Sequence, residues 1–269
     1  MGSGRATLSI RLFGRLEVRA GGVQVRITGR HAQALTALLA LRPRPRLRDT
    51  IAAELWPDVD GPSAASLRQA LWLVRSSITT AGLEPEAWLD ADQDTLGLQP
   101  GATLDLDVAR FESLADRADD PVASEAALSL YRGDLLEGLG HECFAAERER
   151  LSDCYEDLLA RIAATRLVHG DVVGARLAAT ELLGRDPLRE EAHAVLIAAY
   201  GLAGSRSQVV RQYRRVCSIL RSELAVSPLP ETDAAYRMAL AAAAARSRER
   251  AAAITYDPAP FTPILVSSA

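Results

Sequence analysis

The sequence contains no lysine; all 31 of its basic side chains are arginine, a bias read first as the mark of GC-rich coding. With a formal net charge of −4 and a pI near 5.7, the chain is no polycation. Sequence-indifferent coating of nucleic acid needs many cations to displace counterions and is excluded as its main mode. A small, local DNA-binding face remains open. Cysteine is scarce: Cys143, Cys154 and Cys217 are an odd, scattered set without the C-x-x-C spacing of a zinc ribbon. That usage fits a reduced, cytoplasmic protein. No apolar run reaches the roughly 18 residues a bilayer span requires, and the segment "MALAAAAARSRERAAA" is too weakly hydrophobic and too arginine-rich for one. The opening "MGSGRATLSIRLFG" lacks the long apolar core of a secretory signal. The motifs G-x-x-x-x-G-K-[ST], G-x-S-x-G and H-E-x-x-H are absent. His31, His141, His169 and His193 are isolated; His193, inside "REEAHAVLIAAY", reads as packing, and His141, Glu142 and Cys143 lack ligand spacing. The expectation is therefore a chain with no catalytic residues, no metal and no cofactor.

What is present is patterned. The length of 269 residues suits one large or two ordinary domains, and 48% hydrophobic content supplies a core. "LSIRLFG" and "RLEVRAGGVQVRI" alternate with period two around Gly21-Gly22, predicting a strand and a hairpin. "RHAQALTALLALRP" predicts a helix whose apolar face holds Ala34, Leu35, Leu38, Leu39 and Leu41, ended by Pro43. "LRDTIAAELWP" predicts a second helix, capped by Asp49 and stopped before Pro57. "SAASLRQALWLVRSSITTAG" predicts a third, with Ser63 as N-cap and Gly82 past its end. "AWLDADQDTLGLQPG" adds two short strands around a polar turn, and the order of strands, three helices and hairpin finishes near Leu106. From Asp107 onward the chain is a series of amphipathic helices. Gly170-Asp171 and Gly204-Ser205 punctuate it at a 34-residue interval, the period of tetratricopeptide arrays. The fold class expected is mostly α: an N-terminal α+β winged helix-turn-helix over 1–106, then an all-α, tetratricopeptide-like domain over 107–245. A flexible tail over 246–269 completes it, with three prolines in "TYDPAPFTPILVSSA".

The third helix raises the functional question. On a helical wheel centred on Arg68, Trp72, Arg75 and Thr79 fall within about 40°, with Gln69 and Ser76 near the edge. Leu67, Leu71, Val74 and Ile78 form another, burying face. Guanidinium groups, an amide and an aromatic suit a major groove, where Arg reads guanine or holds phosphate and Gln pairs with adenine. The next hairpin would be the wing. Arg30 opens the first helix, and "RPRPRLRD" places Arg42, Arg44, Arg46 and Arg48 in the densest positive stretch of the chain. Arg30, Arg44, Arg46 and Arg48 are candidate phosphate contacts; a merely solvated loop is the equal alternative. Trp56 reads as core and Trp88 as packing the wing onto the body. Trp72 reads as either a base or sugar contact or a surface for a partner.

Taken together, "LSIRLFGRLEVRAGGVQVRITGRHAQALTALLAL", "LWPD", "LRQALWLVRSSI" and "TLDLDVARFESL" resemble the antibiotic-regulatory (SARP-type) activators of actinobacteria. "AERERLSDCYEDLLARIAATRLVHGD" and the order "DPLREEAH…AAYGLAG…PLPET" resemble their bacterial transcriptional activator domain (BTAD). The resemblance spans roughly Leu8 to Leu240. It implies an OmpR-like winged helix that binds promoter repeats, and a helical domain that supports homodimerisation and contact with RNA polymerase. The recognition helix departs from the relatives' Arg-Leu-Arg-Arg ending: here Leu73-Val74-Arg75-Ser76 keeps only Arg75. The wing carries Asp90, Asp92 and Asp94, and residues 1–107 hold 12 arginines against 12 carboxylates. A neutral reader steers DNA weakly. The competing reading is a regulatory interaction module whose winged helix docks protein instead of promoter DNA.

Overall fold

The computed structural model describes residues 7–57, 63–117 and 120–253. They group into two compact units, Met1–Leu158 and Leu159–Ala269. In the first, β1 (Thr7–Arg11), β2 (Glu17–Ala20) and β3 (Val23–Val25) form an antiparallel meander in which Leu8, Ile10, Val18, Ala20 and Val25 point to one buried side. Their neighbours Glu17 and Arg19 point to water, as period-two alternation requires. Helix α1 (Arg30–Leu41) buries Ala34, Leu35, Leu38 and Leu39 as expected, whereas Leu41 is only half-buried at the helix end. After the two-residue strand β4 (Arg46–Leu47) come α2 (Arg48–Leu55) and α3 (Ser63–Thr80). The expected Asp49 cap is corrected: Leu47 occupies the cap position without a side-chain bond, and Asp49 sits inside the first turn, where its charge still favours the positive helix end. Ser63 is the first helical residue of α3, so the cap position before it lies outside the described residues. Strands β5 (Leu89–Ala91) and β6 (Thr95–Leu98) form the expected hairpin, extended by β4 into a sheet ordered β4-β6-β5.

One strand escaped the periodicity reading. "TLDL", Thr103–Leu106, is β7, which returns to the N-terminal sheet and pairs in parallel with β1 (Thr7 beside Thr103, Ile10 beside Leu106), giving the order β3-β2-β1-β7. The residue after it is an anchor. Asp107 opens α4 (Asp107–Ala115) and is 7% exposed. Its carboxylate accepts from the amides of Leu12 (2.9 Å to each oxygen), Phe13 (3.0 Å) and Val108 (2.9 Å). Burial pushes its pKa up from the ordinary 3.8, while those amides and nearby Arg11 pull it back.

The same stretch after β1 recruits a distant loop. Leu136 N donates to Leu12 O at 2.8 Å, Gly14 N to Asp134 O at 3.0 Å, and Glu137 N to Gly14 O at 2.7 Å. Phe13, Phe111, Tyr131 and Tyr155 stack into one aromatic cluster, with Tyr131 and Tyr155 3.9 Å apart. So α4, α5 (Pro121–Leu130) and the first half of α6 (Ala145–Val168) belong with the sheet, and the compact units divide at 158/159. The sequence boundary at 106/107 marks where strands give way to helices.

The second unit contains the end of α6, α7 (Val172–Arg185), α8 (Glu190–Leu202), α9 (Arg206–Glu223) and α10 (Pro230–Ala253). Its 34-residue repeat is real at atomic detail. Gly170 and Gly204 both have left-handed backbones (φ 79° and 74°), and each is followed by the same six-residue closure, Asp171 N to Arg166 O and Ser205 N to Tyr200 O, both 2.9 Å. The first eight residues expected in a flexible tail from 246 are instead the end of α10; residues 254–269 lie outside the described residues. The motif pieces "DPLREEAH" and "PLPET" interlock. Glu190 accepts from Leu229 N (2.9 Å) and from the buried Thr232 hydroxyl (2.7 Å). His193 is buried: its Nε2 bonds Pro187 O at 3.0 Å and its Nδ1 meets Gln212 Nε2 at 2.7 Å. With the Gln212 amide donating to Nδ1, the ring is neutral, and burial lowers its pKa from 6.5.

Two measurements test these contacts. Asp107→Ala leaves three inward amides without their acceptor and costs about 2–5 kcal/mol in urea unfolding; a loss under about 1 kcal/mol would show that the carboxylate ties nothing together. For His193 the folded pKa lies below the unfolded one, so its contribution is intact above pH 6.5 and lost as pH falls below it. Wild type then loses more melting temperature between about pH 7.5 and about pH 5.5 than His193→Gln does.

Candidate nucleic-acid interface

Helix α3 is held by its inner face. Leu67, Ala70, Leu71, Val74 and Ile78 are buried, and the helix packs on α1 and α2. Its C-terminus closes at Gly82, with Leu83 N donating to Ile78 O (3.2 Å). That burial turns Arg68, Gln69, Trp72 and Thr79 into solvent as one strip, with Arg75 and Ser76 half-buried at its margin. The two arginines are not equivalent. Arg68 is exposed without an ion pair among the described residues. Arg75 leans on the body, one terminal nitrogen 4.0 Å from Glu86 and its Nε buried without a partner among them.

The basic loop is divided up by the fold. Arg30 donates to Gly138 O at 2.9 Å. Arg42 and Arg46 converge on the single carboxylate of Glu54, Arg46 at 2.6 Å. Arg48 donates through Nε to Thr95 O (3.4 Å), and its backbone amide bonds Asp94 O (2.9 Å), which fastens the wing to α2. Only Arg44 extends without such a partner among the described residues. It lines a groove with Leu8, Leu98 and Leu104, whereas Arg48 and Arg68 share a different one with Leu47, Gln93 and Asp94. Gly97 explains why this loop lies so close to the wing: a Cβ there would stand 2.8 Å from Pro45 Cα. Gln93 and the exposed Leu47 line the Arg68 groove and escape the sequence reading. The signal for Gln93 was its side-chain amide, set among the three carboxylates of the wing turn.

The acidic wing is partly structural. The Asp92 carboxylate accepts from Asp94 N (2.8 Å) and Thr95 N (2.5 Å), closing the turn, and those amides hold its pKa below the ordinary 3.8. Among the described residues no group of three or more His, Cys, Asp or Glu is placed to hold a metal ion, and no helix is long and apolar enough to cross a membrane. The outward strip of Arg, Gln, Trp and Thr, on a helix packed against two others and flanked by a hairpin, presents hydrogen-bonding groups of the kinds that contact base edges.

The profile of the bacterial transcriptional activator domain matches residues 106–240, 135 of the 269. The chain belongs to that family. As a member of the bacterial transcriptional activator domain family it is a transcriptional regulator, and the match begins where the sequence passes from strands to helices. Its fold is similar to the solved structure of "Mycobacterium tuberculosis EmbR in complex with low affinity phosphopeptide", at 24% identity over 91% of this chain and 71% of that one, with a TM-score of 0.69. At that identity the likeness is one of fold. No curated protein sequence matches the chain. The motif order "DPLREEAH" with "PLPET", within the matched region, coincides with the Glu190–Thr232 and His193–Gln212 interlock.

The exposure of Trp72 is open to direct measurement, because Trp56 and Trp88 are buried (6% and 4% exposed) while Trp72 is 66% exposed. Acrylamide quenching of the wild type should resolve one accessible tryptophan, and Trp72→Phe should abolish that component while leaving the rest unchanged. An undiminished accessible fraction would mean that α3 does not face solvent.

Proposed function

We propose that this chain is a sequence-specific DNA-binding transcriptional activator of the cytoplasm, without enzymatic activity, that binds promoter repeats as a homodimer and recruits RNA polymerase. The observation that carries the reading is the outward strip on α3: Arg68, Gln69, Trp72 and Thr79 stand in solvent on a helix whose other face is fixed in a packed core. Arg75 and Ser76 flank the strip. The partition of the other arginines refines the site. Arg48 reaches it from the start of α2, while Arg30 and Arg46 brace the protein and Arg44 stands in a separate groove. Family membership supports the regulatory role.

A second reading, a regulatory module that docks protein, is favoured by one observation: Trp72 is a tryptophan standing in solvent, 66% exposed, on the reader helix. Large exposed aromatics are common anchors of protein interfaces.

Fluorescence anisotropy with the DNA upstream of the chain's own gene separates the two. Under the first reading the wild type binds, and Arg68→Ala weakens it by about 1–3 kcal/mol at the contacted base pair. Arg75→Ala weakens it less, because that side chain is half-engaged with Glu86. Light scattering of the same complex gives two chains per repeat pair. Unchanged affinity in both variants would remove α3 from the interface, and absence of binding alongside a stable protein complex would establish the second reading.

A further inference from the structure

The arginines are unevenly distributed between the units. Residues 1–158 hold 17 arginines against 25 carboxylates; residues 159–269 hold 14 against 10. The excess in the second unit is concentrated on α9, where Arg206, Arg211, Arg214, Arg215 and Arg221 face a single acid, Glu223. The helix docks by Val209, Gln212, Val216 and Leu220, and all five arginines are exposed. Wheel geometry puts Arg211, Arg214, Arg215, Ser218, Arg221 and Ser222 in one stripe, and Arg211 to Arg221 spans about 15 Å of helix. None of the five arginines makes an ion pair among the described residues, and the one polar contact shown is Arg211 Nε to Gln208 Oε1 at 3.3 Å. Tyr213, Arg214, Cys217, Ser218, Arg221 and Ser222 line a concavity of about 450 Å³. The Asp233 carboxylate beside it accepts from the Tyr213 hydroxyl at 2.6 Å and forms no ion pair with any of the five arginines among the described residues.

We propose that the arginine stripe of α9 is a second nucleic-acid contact, which holds the phosphate backbone of duplex DNA. The inference rests on the DNA-binding reading of α3 and assigns a separate surface to it. Two observations select phosphate over an acidic protein segment. The stripe consists of guanidinium and hydroxyl groups with no exposed aromatic or large aliphatic anchor, the composition of backbone contacts rather than of a protein hot spot. The first unit, whose α3 would read bases, carries net negative charge and only a few exposed arginines at that site, so further phosphate-neutralising cations on the second unit would add to its affinity.

The test is the salt dependence of binding by the full chain to the upstream DNA and to a scrambled duplex of equal length. Replacing Arg211, Arg214 and Arg221 together by Gln should lower the slope of log affinity against log salt by roughly 2–3, about 0.9 per lost phosphate contact. Affinity should fall by a similar factor on both duplexes. The same three positions changed to Lys should restore the slope, which separates lost charge from lost folding. Arg68→Ala should instead reduce binding to the upstream duplex alone. An unchanged slope in the Gln variant, with Arg68→Ala still defective, would overturn the α9 contact and leave the reader intact; an acidic protein partner would then be its occupant. No binding of either duplex by wild type at low salt would overturn both.

Discussion

Three backbone amides converge on the carboxylate of Asp107, and the arrangement of the first unit depends on that convergence. Leu12 and Phe13 lie just past β1, where the strand ladder ends and their N–H groups have no strand partner. A buried amide without an acceptor is costly, as is a buried carboxylate without donors; here each satisfies the other. Because Asp107 directly succeeds β7, the same contact sets where the parallel strand stops and where α4 begins. The backbone on the other side of residues 12–14 then pairs with 134–137, which brings the aromatic cluster of Phe13, Phe111, Tyr131 and Tyr155 together.

That framework constrains what α3 can do. A helix presents chemistry reliably only when its opposite face is locked, and Leu67, Leu71, Val74 and Ile78 provide the lock. The fold also commits several arginines to architecture. Arg30 bonds a carbonyl, Arg42 and Arg46 share Glu54, and Arg48 joins the wing to α2. A count of basic residues in "RPRPRLRD" therefore overstates the charge offered to a phosphate. Conversely, the Asp92 carboxylate closes its own turn by accepting two backbone amides, so the wing's acidity serves structure as well as surface charge.

Much of the fold was legible because burial tracks period. The helices of both units, the hairpin at Gly21-Gly22, the wing and the 34-residue repeat are all signalled by local spacing and turn residues. The strand β7 was not, since the short alternation Thr-Leu-Asp-Leu carries too little periodicity to reveal a partner as remote in sequence as Thr7–Ile10. The outward strip on α3 was legible for the same reason as the helix itself: the spacing of Leu67, Leu71, Val74 and Ile78 fixes which side faces in. The separate fates of Arg68 and Arg75 were not, because they depend on Glu86 from a different element.

Reading the chain residue by residue thus reaches local properties: which segments become helix or strand, which face of each is apolar, and the order of motifs in the second half. Folding supplied the remainder. It drew 107–158 into the first unit, split the basic loop between structural and free arginines, and left the α9 arginines without ion pairs among the described residues. The physical reason is that periodicity records a residue's relation to its own element, whereas the state of a charge or a buried amide is set by partners that folding brings from far along the chain.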